Sequence, residues 1–279
     1  MTVSEGRAAA FFDLDRTLMA GSSAYHFGRA SFKAGALSRR QLARDAWAQI
    51  RFRLEGSTDA AVDALLERIM ERIKDQRVVD LARLTPDVLV GILPRIYPQM
   101  IKVVREHQDA GRACYIVTAA SQEMVQVLAL VLSFEGAIGT RSEIREGIYT
   151  GRLDGPFVYG DGKAAALREF AAANDIDLRD SWAYSDSASD LPMLRAVGHP
   201  VAVNPDGGLE EVARRQGWEI LRFEKLGQRL RMVGGMVAAS ALAGGGAWIA
   251  ARHRARPRRR GLSLLSSPRS RSVASGSRS

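Results

Sequence analysis

The sequence predicts an α/β protein built on a parallel sheet, and three observations carry that prediction. Short apolar runs alternate with amphipathic stretches of helical length, the order that a parallel sheet with crossover helices requires. Signatures rich in Asp, Ser, Thr and Lys follow the apolar runs, where the carboxyl ends of parallel strands form a ligand crevice. The 279 residues are 46% apolar and 25% charged, an ordinary globular composition with enough chain for a full-sized core.

The first strand is the run Ala9-Ala10-Phe11-Phe12, which delivers Asp13 and Asp15 at its end. Two carboxylates one residue apart beside a buried strand are costly to place unless a cation or a reaction uses them. Asp also favours strand-to-turn junctions, so the pair alone leaves a plain turn open. From about residue 23 to 111 helix follows helix, because Ala43, Ala46, Trp47, Ile50 and Leu54, then Ala61, Leu65, Ile69 and Ile73, recur at spacings of three and four.

From Arg112 the pattern changes. A strand over 113–117 precedes a helix over 122–132, a strand over 182–185 precedes a helix to 197, and a strand over 200–203 precedes a helix over 208–216. Between these units, residues 143 to 153 alternate about Glu146-Gly147 and read as a hairpin.

Three further polar signatures accompany these elements. Thr118 ends the run Cys114-Tyr115-Ile116-Val117, and Ala119, Ala120 and Ser121 are expected to open the next helix, so that a hydroxyl and helix-initial N–H groups face an anionic oxygen. Alone, Thr118 also reads as a helix cap. Lys163, in Gly160-Asp161-Gly162-Lys163, lies just before a helix over 164–173, where its charge opposes the helix dipole and calls for a partner. The run Ser185-Asp186-Ser187-Ala188-Ser189-Asp190-Leu191-Pro192 adds two carboxylates four residues apart, with Pro192 marking a helix start. Carboxylates without Cys or His partners select a hard cation, and beside phosphate that cation is usually Mg2+. Nucleophile, acid, cation and phosphate cradle together make a phosphoryl-transfer site.

In this order and spacing, the signatures Asp13-Leu14-Asp15-Arg16-Thr17, Thr118, Lys163 and Ser185 to Asp190 resemble those of the haloacid dehalogenase (HAD) superfamily. The helical insertion after the first signature resembles the phosphoserine-phosphatase-like branch, subfamily IB, and the hairpin and Tyr184-Ser185-Asp186-Ser187 resemble its actinobacterial members. The resemblance implies a Rossmann-like core over residues 1–22 and 98–222, with a helical cap over 23–97. It implies that Asp13 attacks phosphorus to form an aspartyl phosphate, that Asp15 is the acid and base, that Thr118 binds the phosphoryl group and that Lys163 offsets charge. Mg2+ would be held by Asp13, the Asp15 carbonyl and Asp186, with Asp190 behind them orienting Lys163 or a metal-bound water. Arg16 fills the variable slot and is expected to be exposed or salt-bridged.

The substrate is less defined. Phosphoserine phosphatases commonly carry a glutamate shortly after the first motif, whereas here no acid follows before Asp45. Ser22, Ser23, His26 and Arg51 or Arg53 are the candidate substrate contacts, with helix caps or solvated faces as the alternatives. Trp47 and Phe52 line a pocket or fill the core of the insertion. A small phosphometabolite such as phosphoserine is the first expectation. A lipid phosphate such as phosphatidylglycerophosphate or a lysophosphatidate is the second, and a non-catalytic, membrane-tethered phosphate-binding module is an alternative class.

The lipid reading comes from the tail, residues 223–279. Residues 232–251 are twenty without charge, long enough to span about 30 Å of hydrocarbon, but rich in Gly and Ala rather than Leu. Arginines flank both ends, which would attract anionic lipid and leave orientation undetermined. From Arg222 onward there are 13 Lys or Arg and one acidic residue, so the overall charge of +9 leaves the preceding body at −3 and without a nucleic-acid footprint. A single cysteine, Cys114, excludes an internal disulfide, and the short polar start reads as no secretory signal, so a cytoplasmic catalytic body is expected.

Overall fold

The computed structural model describes residues 6–35 and 59–223. Trp47, Arg51, Phe52, Arg53 and the tail from residue 224 on, with its uncharged stretch at 232–251, lie outside the described residues. The chain divides into two compact units, Met1–Phe223 and Glu224–Ser279, and every described residue belongs to the first.

Strand β1 (Ala9–Asp13) is buried along its whole length. Side chains alternate across a strand, so Ala10 and Phe12 enter one apolar cluster with Ile92, Met100, Ile116 and Leu128, while Ala9 and Phe11 enter another with Val117, Leu167, Met193 and Leu194. Burial on both faces is the signature of a central parallel strand. In chain order the other sheet strands are β2 (Ala113–Ser121), β3 (Gly136–Thr140), β6 (Trp182–Ser185), β7 (His199–Val203) and β8 (Glu219–Leu221). All six run parallel, in the order β3-β2-β1-β6-β7-β8. The chain leaves β1 to one side and later returns to the other, so the carboxyl end of β1 is a topological switch point, where open α/β sheets bind ligands.

Helices α1 (Ser23–Lys33), α2 (Asp59–Ile73), α3 (Val78–Ala82) and α4 (Thr85–Ile92) lie between β1 and β2, followed by α5 (Pro98–Asp109), which packs on the sheet. The outgoing and returning segments pair with each other: Ala20 N–H donates to the Arg95 carbonyl at 2.9 Å, and Tyr97 N–H donates to that of Leu18 at 2.9 Å. Helices α6 (Gln122–Val131), α7 (Asp161–Ala173), α8 (Leu191–Leu194) and α9 (Gly207–Gln216) complete the crossovers.

The hairpin is β4 (Ser142–Arg145) with β5 (Ile148–Leu153), turning through left-handed Glu146 (φ 51°) and Gly147 (φ 78°). Its second strand is bonded to the segment after α2, with Asp75 N–H donating to the Tyr149 carbonyl at 2.9 Å and Tyr149 N–H to that of Gln76 at 3.0 Å. Helical insertion and hairpin are therefore joined through backbone.

Three local expectations are corrected. Residues 119–121 continue β2 instead of opening a helix, because Thr140 Oγ1 donates to the Ala119 carbonyl (2.9 Å) and the Gln122 side chain bridges Gly139 N–H and the Ala137 carbonyl on β3. Helix α7 begins at Asp161, which puts Lys163 inside its first turn. Helix α8 stops at Leu194 rather than running to residue 197.

Candidate active site

Adjacent strands β2, β1 and β6 bring the signatures together. Asp13 pairs in register with Val117, so Thr118 lies one residue beyond it, and Phe12 pairs with Tyr184, so Ser185 and Asp186 follow on the other side. Asp13, Thr118, Lys163, Asp186 and Asp190 are all buried.

Lys163 is the centre of the cluster. Its Nζ donates to Asp13 Oδ1 at 2.6 Å and to Asp190 Oδ2 at 2.7 Å. The Ser185 hydroxyl donates to the same Asp190 oxygen at 2.6 Å. Gly162 permits this placement, because a Cβ there would collide with the Phe157 carbonyl and push the first turn of α7 away.

The charges do not balance. Asp13, Asp186 and Asp190 are buried, yet among the described residues Lys163 is the one buried cation beside them; Arg16 approaches Asp186 from a side chain that is 37% exposed. Burial pushes the Asp13 carboxyl up to about 7, with the neighbouring Asp190 and Asp15 adding to the rise and Lys163 opposing it. Burial and the charge of Asp13 push Asp186 up to about 8, against the pull of Arg16. For Lys163 burial disfavours the charge, but Asp13 and Asp190 override it and hold the ammonium above its usual range.

Asp15 is held from the start of α1. The Ser22 hydroxyl donates to Asp15 Oδ2 at 3.1 Å, and the Ser23 N–H donates to Oδ1 at 2.7 Å. Ser22 and Ser23, the candidate substrate contacts, thus each reach Asp15. His26, one turn on, is buried under Gly91, where a Cβ would meet its ring. Its imidazole is pushed below its ordinary range by burial first and by Arg95 second. Thr118 Oγ1 accepts a hydrogen bond from Ala120 N–H at 3.3 Å.

Among the described residues no group of three or more His, Cys, Asp or Glu is arranged as a metal cage. The donors that do meet are Asp13 and Asp186, two crowded carboxylates, and Asp186 Oδ2 is buried without a hydrogen-bond partner. Mg2+ takes few protein oxygens and keeps several waters. A buried oxygen without a hydrogen bond, met by a partly exposed arginine in an excess of negative charge, fits such an ion.

Ser185, as a support of Asp190, was not legible as a site residue, because a serine before an aspartate is common at strand ends. The signal was its place at the end of a buried strand directly before Asp186.

Comparison with known proteins places this geometry. A family model described as haloacid dehalogenase-like hydrolase matches residues 10–195. Phosphoserine phosphatase SerB1 of Mycobacterium tuberculosis is 38% identical over 248 residues, 88% of this chain and 79% of the relative. A histidinol-phosphatase of Neisseria meningitidis is 30% identical over 220 residues, 77% of this chain and 98% of the relative. A Bordetella pertussis protein described as of unknown function has a solved structure that superposes with a TM-score of 0.68 at 30% identity, covering 77% of this chain and 98% of that one.

Proposed function

The chain belongs to the haloacid dehalogenase-like hydrolases and is a phosphatase, and from that premise we propose that it hydrolyses small phosphate monoesters in two steps through an aspartyl phosphate on Asp13, with Mg2+. The observation that carries this reading is the Lys163 ammonium bonded at once to Asp13 and Asp190 at the switch point of the sheet.

The Asp13 oxygen not held by Lys163 attacks phosphorus, and the bond from phosphorus to the ester oxygen breaks. Asp15 gives its proton to that departing oxygen. Asp15, now a carboxylate, takes a proton from water, the resulting hydroxide attacks the phosphoaspartate, and phosphate leaves with Asp13 restored. Lys163 opposes the negative charge gathered on Asp13 and on the phosphoryl oxygens, and Asp190 with Ser185 fixes the direction of its ammonium. Thr118 offers its hydroxyl to the phosphoryl group. Asp13, the Asp15 carbonyl and Asp186 would hold Mg2+, which supplies charge neutralisation between the nucleophile and a dianionic phosphate. Ser22 and Ser23 orient Asp15 for both of its proton transfers.

Among the described residues no helix is long and apolar enough to cross a membrane, and residues 232–251 lie outside them. The lipid-phosphate alternative thus rests on the sequence of the tail alone, and the relatives named for phosphoserine and histidinol phosphate favour small polar monoesters. The test is phosphate release from a panel holding phosphoserine, histidinol phosphate, sugar phosphates and a lysophosphatidate, with Mg2+ and with EDTA. Release from soluble monoesters that EDTA abolishes is expected. Activity unaffected by EDTA, or confined to the lipid, would overturn the proposal.

A further inference from the structure

Arg16 stands between Asp15 and Thr17, and two features set it apart. Its backbone is left-handed, with φ 63°, an unfavourable region for a side chain as large as arginine. Its Nε lies 3.1 Å from Asp186 Oδ2, the buried oxygen that has no hydrogen-bond partner. The two side chains differ in exposure, 37% for Arg16 against 6% for Asp186.

Resting on the Mg2+ reading above, we propose that Arg16 is a built-in competitor of the divalent cation: its guanidinium neutralises Asp186 in the metal-free protein and must turn aside before Asp186 takes the ion. The physical case is one of exchange. A buried carboxylate left alone is costly, so Asp186 needs a cation at all times. Arg16 meets that need without metal. Because its side chain is one-third exposed, the guanidinium can return to water without stranding a charge, whereas Asp186 cannot move out to follow it. The same Asp186 oxygen cannot serve both cations at close range, since a guanidinium beside Mg2+ is repelled by it. The arrangement gives Asp186 a cationic neighbour until the ion arrives, and it lowers the apparent affinity for the ion.

The test is isothermal titration of MgCl2 into the metal-free, full-length protein, read as a dissociation constant. Arg16→Ala and Arg16→Gln both remove the charge, and Gln retains much of the bulk. Both variants are expected to bind Mg2+ about fivefold more tightly than the wild type, the scale of a partly exposed ion pair. Unchanged or weaker binding in both would overturn the proposal. Tightening in Arg16→Ala alone would trace the effect to volume rather than charge, and would overturn it too. Asp186→Asn separates this inference from the reading beneath it: wild-type affinity in that variant, or no binding by any of the proteins, removes the Mg2+ assignment itself and the competition with it.

Discussion

Lys163 ties together residues 13, 163 and 190, and the cost of breaking that tie follows from its burial. Asp13→Asn removes the proposed nucleophile and should lower turnover about 10^3-fold or more. Its thermal midpoint should not fall, because one charge leaves a site with more buried carboxylates than buried cations. Scanning calorimetry beside a rate assay checks both halves. Ser185→Ala should cost about 1–2 kcal/mol in urea unfolding and reduce turnover, since Asp190 loses the hydroxyl that holds it at 2.6 Å.

A buried histidine gives a pH signature away from the site. Arg112 Nε donates to His107 Nδ1 at 2.7 Å, so Nε2 carries the proton and donates to the Tyr184 hydroxyl, also at 2.7 Å. Burial, with Arg112 second, pushes this imidazole down to about 4. The unfolded chain takes up a proton near pH 6.5 that the folded chain refuses until about pH 4. The stabilisation is whole above pH 6.5 and is lost as pH falls towards 4. The stability difference between wild type and His107→Gln should shrink over that window, measured by urea titration at each pH. None of this was legible in the sequence, where His107 is one polar residue on an amphipathic helix; Tyr184 and Arg112 reach it only through folding. Asp13 and Asp186 stood out because a carboxylate at the end of an apolar run is a local pattern, and Lys163 because a lysine at a helix start is one.

Among the elements, α7 shows how a crossover helix delivers a buried lysine to the ends of the central strands. Its first turn lies against the Phe157 carbonyl, and Gly162 is the residue that lets it approach. Gly162→Ala should displace the turn, draw Lys163 from Asp13 and Asp190, and cost about 2 kcal/mol or more, by analogy with overpacked cores. Loss of turnover larger than the loss of stability explains would locate the damage at Lys163. The apolar runs predicted β1, β2, β6 and β7 because each contributes a continuous buried stretch to the sheet. The extension of β2 through residue 121 was not predictable, since Ala119, Ala120 and Ser121 have no strong β preference and are held by Thr140 and Gln122 from other elements. Strand β8, three residues long, is too short to show a period.

For the whole molecule, charge and structure divide at nearly the same place. Residues 1 to 221 carry −3 and the rest +12, while the first compact unit runs through Phe223, whose ring contacts Tyr97 at 5.3 Å and whose N–H donates to Asn204 Oδ1 at 3.0 Å. A chain ending at residue 225 should melt cooperatively and keep its turnover of soluble phosphate monoesters within about twofold, because both apolar clusters lie before that point. A lost melting transition would show that the core needs the tail. By itself the sequence determined the α/β class and the parallel sheet, because apolar runs and helical spacings are written into neighbouring residues. Tertiary structure alone decided that Ser22 and Ser23 bond Asp15, that Ser185 bonds Asp190 and that the partner of Arg16 is Asp186. Those pairings depend on directions set by strand ends and helix starts, and a linear spacing does not specify a direction.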